Sequence, residues 1–295
     1  PNASYSSGEE VWGRGASLRE AASPPASPIP HVFRGGSARE GTFLQKSPLP
    51  RNTPTKEVFS VPSSMPLRHE QKYFINEMQY IVLSGVLDQV LHRDPNGDAL
   101  NEYHIRSLYF DTIFDDAYYD KINGDQNRDK YRIRIYNMKD RDIKLECKTK
   151  VGNLISKRSL MIPRDLCEQI IAGDPTGLET TRSGLLNDVY REMTIHRLHP
   201  VVIVDYVREA YLHPAEEVRI TFDKQLRTGL NSIDLFNPYV PTIPPFDNGE
   251  IILEVKYNRV MPPYIRDLLC TYCPQAQQSA ISKYTWCRRF EGKEA

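Results

Sequence analysis

Residues 131–136 read Tyr-Arg-Ile-Arg-Ile-Tyr, and residues 143–148 read Ile-Lys-Leu-Glu-Cys-Lys. Both place an ionic side chain at every second position, between apolar ones. Alternate side chains of a strand share one face. Arg132 and Arg134 therefore stand in one row, and Lys144, Glu146 and Lys148 in another. Two further stretches repeat the pattern. Arg68–Phe74 (RHEQKYF) aligns Glu70 with Lys72, and Glu250–Tyr257 (EIILEVKY) aligns Glu254 with Lys256. One such strand is an ordinary half-wetted sheet face. Four of them, with cations outnumbering anions along the rows, point to a sheet built to hold something strongly anionic.

Four more strands are predicted at His104–Asp111, Leu154–Ile162, Val201–Leu212 and Glu217–Phe222, with turns at Lys139–Asp142 and Val151–Asn153. Asn76 is a good N-cap for a helix to about Leu91, with Ile81, Val82, Val86 and Val90 as its apolar stripe. A short helix or loop is expected through Asp115–Lys121, and helices over Pro163–Ala172 and Leu185–Leu198. Pro262 and Pro263 open another, with Ile265, Leu268, Leu269 and Tyr272 on one side. About eight strands joined mainly by hairpins give an α+β fold, an eight-stranded antiparallel sheet with flanking helices. Strands at this count commonly close into a barrel, which removes exposed edges.

The 38 Lys and Arg balance the 38 Asp and Glu, so no global field attracts nucleic acid or an anionic membrane. Any basic site must be concentrated locally. No apolar run approaches the roughly 18–20 residues that cross a bilayer, and no signal-peptide pattern opens the sequence. Cys147, Cys167, Cys270, Cys273 and Cys287 form no paired framework, so a reducing, cytoplasmic compartment is expected. Cys270 and Cys273 make a lone CxxC, expected to pack rather than bind zinc, and His196 and His199 are expected to cap or face solvent. Residues 1–66 are crowded with Ser, Pro, Gly and Ala, as in Ala21–Pro30 (AASPPASPIP), and are expected to be a disordered tail.

The alternation alone does not say whether the charged rows face water or a lumen. Two unit charges about 6 Å apart at an effective dielectric near 20 repel by roughly 3 kcal/mol. Many such pairs persist only where solvent screens them or a polyanion fills the space. Glu70, Glu146 and Glu254 each sit within two residues of a Lys on the same row. They could neutralise those lysines across strands, or hold a hard cation beside phosphate oxygens; both readings stand. There is no GxxxxGK[ST] loop, no GxGxxG after a strand, and no GxSxG or HExxH. Phosphate would have to be gripped by side chains, for which the planar fork of Arg is suited.

Residues 67–295 resemble a VTC domain, the polyphosphate polymerase domain of the triphosphate tunnel superfamily, and its bacterial branch more than its fungal one. The segments that carry this are HEQKYF, HIRSLYFD, YRIRIY, LECKTK, SKRSL, DYVREAY, VRITFD, ILEVKYN and SKYTW, in that order. The resemblance implies an eight-stranded antiparallel barrel with the charged rows facing inward. It also implies transfer of the terminal phosphate of ATP onto polyphosphate, with Mn²⁺ or Mg²⁺. Carried over residue by residue, it makes Lys72, Arg132, Arg134, Lys148, Arg208 and Arg219 catalytic and Glu254 the metal ligand. Substrate-binding positions fall on Lys121, on Lys157 or Arg158, on Lys256 and on Lys283. ATP and polyphosphate are the implied partners, with no nucleic acid; a membrane-bound partner subunit is compatible but nothing in the chain reports one.

The sequence departs from the pattern at Arg68, where the wider superfamily opens with an acidic residue, and in lacking a further lysine before the SKY segment. Two other functions remain in view. A hydrolase of the same fold would act on tripolyphosphate or a nucleoside triphosphate, and more carboxylates in the rows would favour it. A non-catalytic domain would simply bind polyphosphate.

Overall fold

The computed structural model describes residues 68–292, apart from 214–216, 247–248, 275 and 277. The tail expected over 1–66 lies outside the described residues. The described chain is a mixed α/β fold with one antiparallel sheet of nine strands and six α-helices. The strands are β1 (His69–Ile75), β2 (His92–Arg93), β3 (Glu102–Asp111), β4 (Asn127–Tyr136) and β5 (Lys139–Val151). They continue with β6 (Leu154–Met161), β7 (His199–Leu212), β8 (Arg219–Thr228) and β9 (Ile251–Tyr257). Their order is β1-β9-β8-β7-β3-β4-β5-β6, with the short β2 on β7.

The expected closed barrel is corrected here. The sheet curls until its edge strands meet, but β1 and β6 touch through one isolated bridge, Arg68 to Ile155, instead of a ladder. There the two backbones exchange hydrogen bonds of 3.1 and 3.2 Å.

The period of two sorts each strand into an inner ionic row and an outer apolar row. Outer residues Tyr131, Ile133, Ile135, Ile143, Leu145 and Cys147 are buried under α3 (Arg164–Ile171) and α4 (Gly184–Ile195). On the other flank, Ile220, Phe222, Leu253 and Val255 pack against α1 (Glu77–Val90) and α5 (Pro263–Tyr272). A third cluster lies on the inner face. Phe74, Ile105, Val204, Tyr206 and Ile252 gather there around Tyr284, Trp286 and Cys287 of α6 (Lys283–Phe290) and Tyr118 of α2 (Asp116–Ile122). Gln225, at φ 52°, marks an irregularity in the β7–β8 ladder. The extra residue switches the parity of β8, so Leu226 joins this cluster while Asp223 stays in the ionic row.

Several local readings need adjustment. Asn76 does cap α1: its Oδ1 accepts from the Gln79 N–H at 2.9 Å, and Gln79 Oε1 accepts from the Asn76 N–H at 3.0 Å. The buried stripe of that helix is Leu83 and Leu87, however, while Ile81, Val82 and Val90 are exposed. The β-branched residues lose because the leucines, with Tyr80 and Leu91, fall on the side facing Phe222. Lys139–Asp142 belongs to β5; the hairpin turns at Asn137 and Met138, both at positive φ. That is the two-residue geometry which matches strand twist. β8 runs six residues past its expected end at Phe222.

Phe222 is fully buried with its ring 5.1 Å from Tyr80 and 6.0 Å from Tyr211, so it ties α1 to the sheet. Phe222→Ala is expected to cost about 3–5 kcal/mol of unfolding free energy by urea titration. A loss below about 1 kcal/mol would mean that this flank is not the packed core described.

Candidate active site

The inner rows converge on a cavity of about 730 Å³. Its lining includes Lys72 of β1, Arg128, Lys130, Arg132 and Arg134 of β4, and Lys148 and Lys150 of β5. Arg208 of β7, Lys256 of β9, Lys121 of α2 and Lys283 of α6 complete the cations, and segment 278–284 runs along one wall. Eleven Lys and Arg thus face the cavity with two carboxylates, Glu70 and Glu254. Glu146 and Asp223 stand just behind them, 1% and 0% exposed at the side chain.

Each of these four carboxylates serves more than one cation. Glu70 takes Lys72 at 2.9 Å and Lys148 at 2.7 Å. Glu254 takes Lys256 at 2.9 Å and Arg208 at 3.6 Å. Glu146 accepts from Arg132 Nε at 2.7 Å and from Lys157 Nζ at 2.9 Å. Asp223 takes two bonds from Arg208, at 2.6 and 2.8 Å, and Lys283 Nζ at 2.5 Å. Tyrosines position the guanidinium groups: Arg132 Nη1 donates to Tyr109 Oη at 2.9 Å, and Arg134 Nη2 to Tyr206 Oη at 2.9 Å.

The protonation states follow from this crowding. Burial and the neighbouring Glu254 push Glu70 up, but Lys148, Lys72 and Lys256 overcome both and hold it at about 2. Glu254 is likewise held well below the usual carboxylate range, with burial opposed by Lys256, Lys72, Lys283 and Arg208. The site therefore keeps its carboxylates ionised. Some of its amines are held less firmly. Desolvation lowers Lys148 to about 8 in spite of Glu70, and lowers Lys130 well below the ordinary lysine value. Lys121 falls to about 8 through desolvation and the cations Arg128, Lys72, Lys150 and Arg289.

Of the residues anticipated from sequence, Lys72, Lys121, Arg132, Arg134, Lys148, Arg208, Glu254, Lys256 and Lys283 line the cavity together. Three stand elsewhere. Arg219 lies off it, donating from Nη2 to Asp94 Oδ2 at 2.6 Å and to Tyr103 Oη at 2.7 Å. Arg158 points to the opposite face of β6, where it pairs with Asp188 of α4. Lys157 shares the inner face of β6 and reaches Glu146 from the rim, its side chain 51% exposed. Sequence reasoning missed Arg128, Lys130 and Lys150, although extending the same period of two by one or two steps along β4 and β5 reaches them. Asp223 was missed because it sits one residue beyond the expected end of its strand.

An oxygen-only donor set suits a hard divalent cation, and Mg²⁺ typically uses one or two carboxylates plus substrate phosphates. Glu70 and Glu254 fit that requirement: Lys256 Nζ lies 2.9 Å from Glu254 and 4.0 Å from Glu70, so both face the same space. Among the described residues no cluster of three or more His, Cys, Asp or Glu could cage a metal without such help. His196 bonds to Glu192 Oε2 at 2.7 Å, and all five cysteines are free.

Residues 67–290 match the family described as the VTC domain. The chain belongs to this family. No curated protein matches it. Solved structures of similar fold include a Hippeastrum protein described as having a dominant triphosphatase activity, at 15% identity and TM-score 0.49, covering 76% of this chain and 96% of that one. Another is a Bacillus halodurans protein named as an adenylate cyclase candidate, at 12% identity and TM-score 0.44, covering 73% and 95%. A third is the PH1819 protein of Pyrococcus horikoshii, at 12% identity and TM-score 0.41, covering 75% and 98%. At these identities none bears on which reaction this VTC domain performs. No helix among the described residues is long and apolar enough to cross a membrane.

Lys121 is charged below about pH 8 and loses its charge above it. The affinity of the VTC domain for inorganic tripolyphosphate, measured by calorimetry, is therefore expected to fall as pH rises through 8. An affinity that is flat across this range, or that rises, would contradict the titration assigned to this wall.

Proposed function

We propose that this VTC domain is a metal-dependent polyphosphate polymerase, which transfers the γ-phosphate of ATP to a growing polyphosphate chain and releases ADP. The observation that carries this reading is the imbalance of the cavity: eleven cations against two lining carboxylates and the two behind them. A condensed phosphate chain, with roughly one negative charge per unit, is the ligand whose charge density matches. The resemblance to polyphosphate polymerases read from the sequence supports the choice of reaction.

Phosphoryl transfer needs positioning and charge stabilisation more than covalent help from the protein. Arg132, Arg134 and Arg208 would spread the charge of the triphosphate, each already oriented by a carboxylate or a tyrosine. Lys72, held charged against burial by Glu70 and Glu254, would stabilise charge that grows on the transferred group. The nucleophile is a terminal phosphate oxygen of the acceptor, ionised at neutral pH. It bonds to the γ-phosphorus as the bond to the β-bridging oxygen breaks, and ADP leaves with that electron pair. No protein nucleophile or general base is required. Glu254 and Glu70 would hold Mn²⁺ or Mg²⁺ jointly with phosphate oxygens, and the ion would supply further charge neutralisation there. Arg219 and Arg158, being off the cavity, have no part in this account.

Incubation with ATP and Mn²⁺, followed by gel staining, is expected to reveal long polyphosphate. Lys72→Ala is expected to lower ATP turnover by roughly 10²–10³-fold, and Glu254→Ala by a comparable factor. Inorganic phosphate accumulating without polymer would assign a hydrolase instead, and a parent chain without ATP turnover would assign a binding domain. Parental turnover in Lys72→Ala would refute the role given to that lysine.

A further inference from the structure

The sheet ends at β6, whose far edge is mostly unpaired among the described residues. Arg68 and Ile155 exchange two backbone hydrogen bonds, so Ile155 turns its N–H and C=O away from β5. By alternation Lys157, Ser159 and Met161 do the same, while Ile162 turns to β5 and donates to the Ile143 carbonyl at 3.0 Å. Among the described residues no backbone group pairs with those three on the free side. All three residues are exposed, Met161 at 50%. Such a row of free N–H and C=O groups is a template for another strand.

Edge strands are commonly guarded by charge or by proline. Neither guard operates along this stretch. Lys157 Nζ is drawn to Glu146 at 2.9 Å on the inner face, and Arg158 pairs with Asp188 on the outer face. Neither cation therefore projects along the edge. Proline comes at Pro163, where the chain leaves β6 for α3. The upstream sequence of the chain itself is a poor cover. Continued in the Arg68–Ile155 register, it sets Pro66 opposite Lys157 and Pro62 opposite Met161. Both places need a donor, and proline has none.

A second copy of the same edge fits without that defect. In antiparallel pairing about a two-fold axis, one residue faces its own copy. Centring on Arg158 sets two guanidinium groups opposite each other, which is destabilising. Centring on Leu160 sets Lys157 opposite Pro163, again without a donor. Centring on Ser159 sets Lys157 opposite Met161 and Arg158 opposite Leu160, in both directions. Every free backbone group of Lys157, Ser159 and Met161 then finds a partner, and no like charges meet. The lysine stem also covers the exposed methionine. Arg68 holds the place opposite Ile155, so the ladder stops at Lys157.

We propose that this VTC domain forms a two-fold dimer in which β6 pairs antiparallel with β6 of a second copy, centred on Ser159, so that two curled sheets become one. The dimer does not depend on the polymerase reading above. Its contact is self-complementary and short, so assembly depends on concentration.

The test is sedimentation of the full chain over a concentration series, with Ser159→Lys and Ser159→Asp as variants and thermal melting to confirm their fold. The parent is expected to pass from monomer to dimer as concentration rises. Each variant sets like charges face to face at the axis and is expected to raise the dimer dissociation constant roughly tenfold. An equimolar mixture of the two is expected to restore the parental value, because residue 159 then meets the opposite charge. Hydrogen exchange at the amides of Lys157, Ser159 and Met161 is expected to slow as the dimer forms. Should a charge variant misfold, Ser159→Pro, which removes the central donor, is expected to weaken the dimer in the same sense. A parent that stays monomeric, or a dimer indifferent to both charges, would overturn the assignment. Amides already protected in the monomer would overturn it too, by giving the edge to another segment of the same chain.

Discussion

The fold depends on keeping a crowd of like charges together on one face of a sheet. Removing Lys72, Arg132, Arg134, Lys148, Arg208, Lys256 and Lys283 from bulk water carries a desolvation cost for every one of them, and their mutual repulsion adds to it. Four carboxylates make the arrangement possible. Glu70, Glu146, Glu254 and Asp223 are at most 5% exposed at the side chain, and each bridges cations from different strands or, for Asp223, from β7 and α6. They work as local counter-charges, too few to neutralise the cavity and sufficient to hold it assembled. The energy that curls the sheet around them comes from its other face, where aliphatic and aromatic side chains pack beneath α1, α3, α4 and α5.

One sequence device accomplishes both tasks. A period of two along β1, β4, β5 and β9 sends ionic residues inward and apolar residues outward, so that core and site are specified together. A shift of one residue in any of these strands would exchange the two faces. The irregularity at Gln225 is the exception that shows the rule: the parity switch it introduces turns the same strand from ionic lining to apolar filling.

The rows of the site were legible in the sequence because that period is local. Nine of the positions anticipated for the site line one cavity, drawn from five strands and two helices. What the sequence concealed is non-local. Whether Arg158 or Lys157 faces inward depends on the β5–β6 register, and whether Arg219 reaches the cavity depends on Asp94 and Tyr103, which intercept it. Helix α1 misled because Ile81 and its valines repeat at helical spacing as well as its leucines do; only the packing of Phe222 decides between the two stripes. Closure of the sheet was inferred from strand count, which does not report how many pairs the last two edges can make. Helix α6 had no sequence signal strong enough to place it inside the curl, since its apolar residues alternate with Lys283, Arg288 and Arg289.

The central claim is that the inner cations form one site for a condensed phosphate. A crystal structure of this VTC domain grown with tripolyphosphate tests it most directly. Phosphate oxygens are predicted within ion-pair distance of Arg132, Arg134 and Lys72 at once, on the inner face of the sheet. Tripolyphosphate bound only at the outer surface, with the inner arginines still paired to Glu146 and Tyr206 alone, would contradict the account.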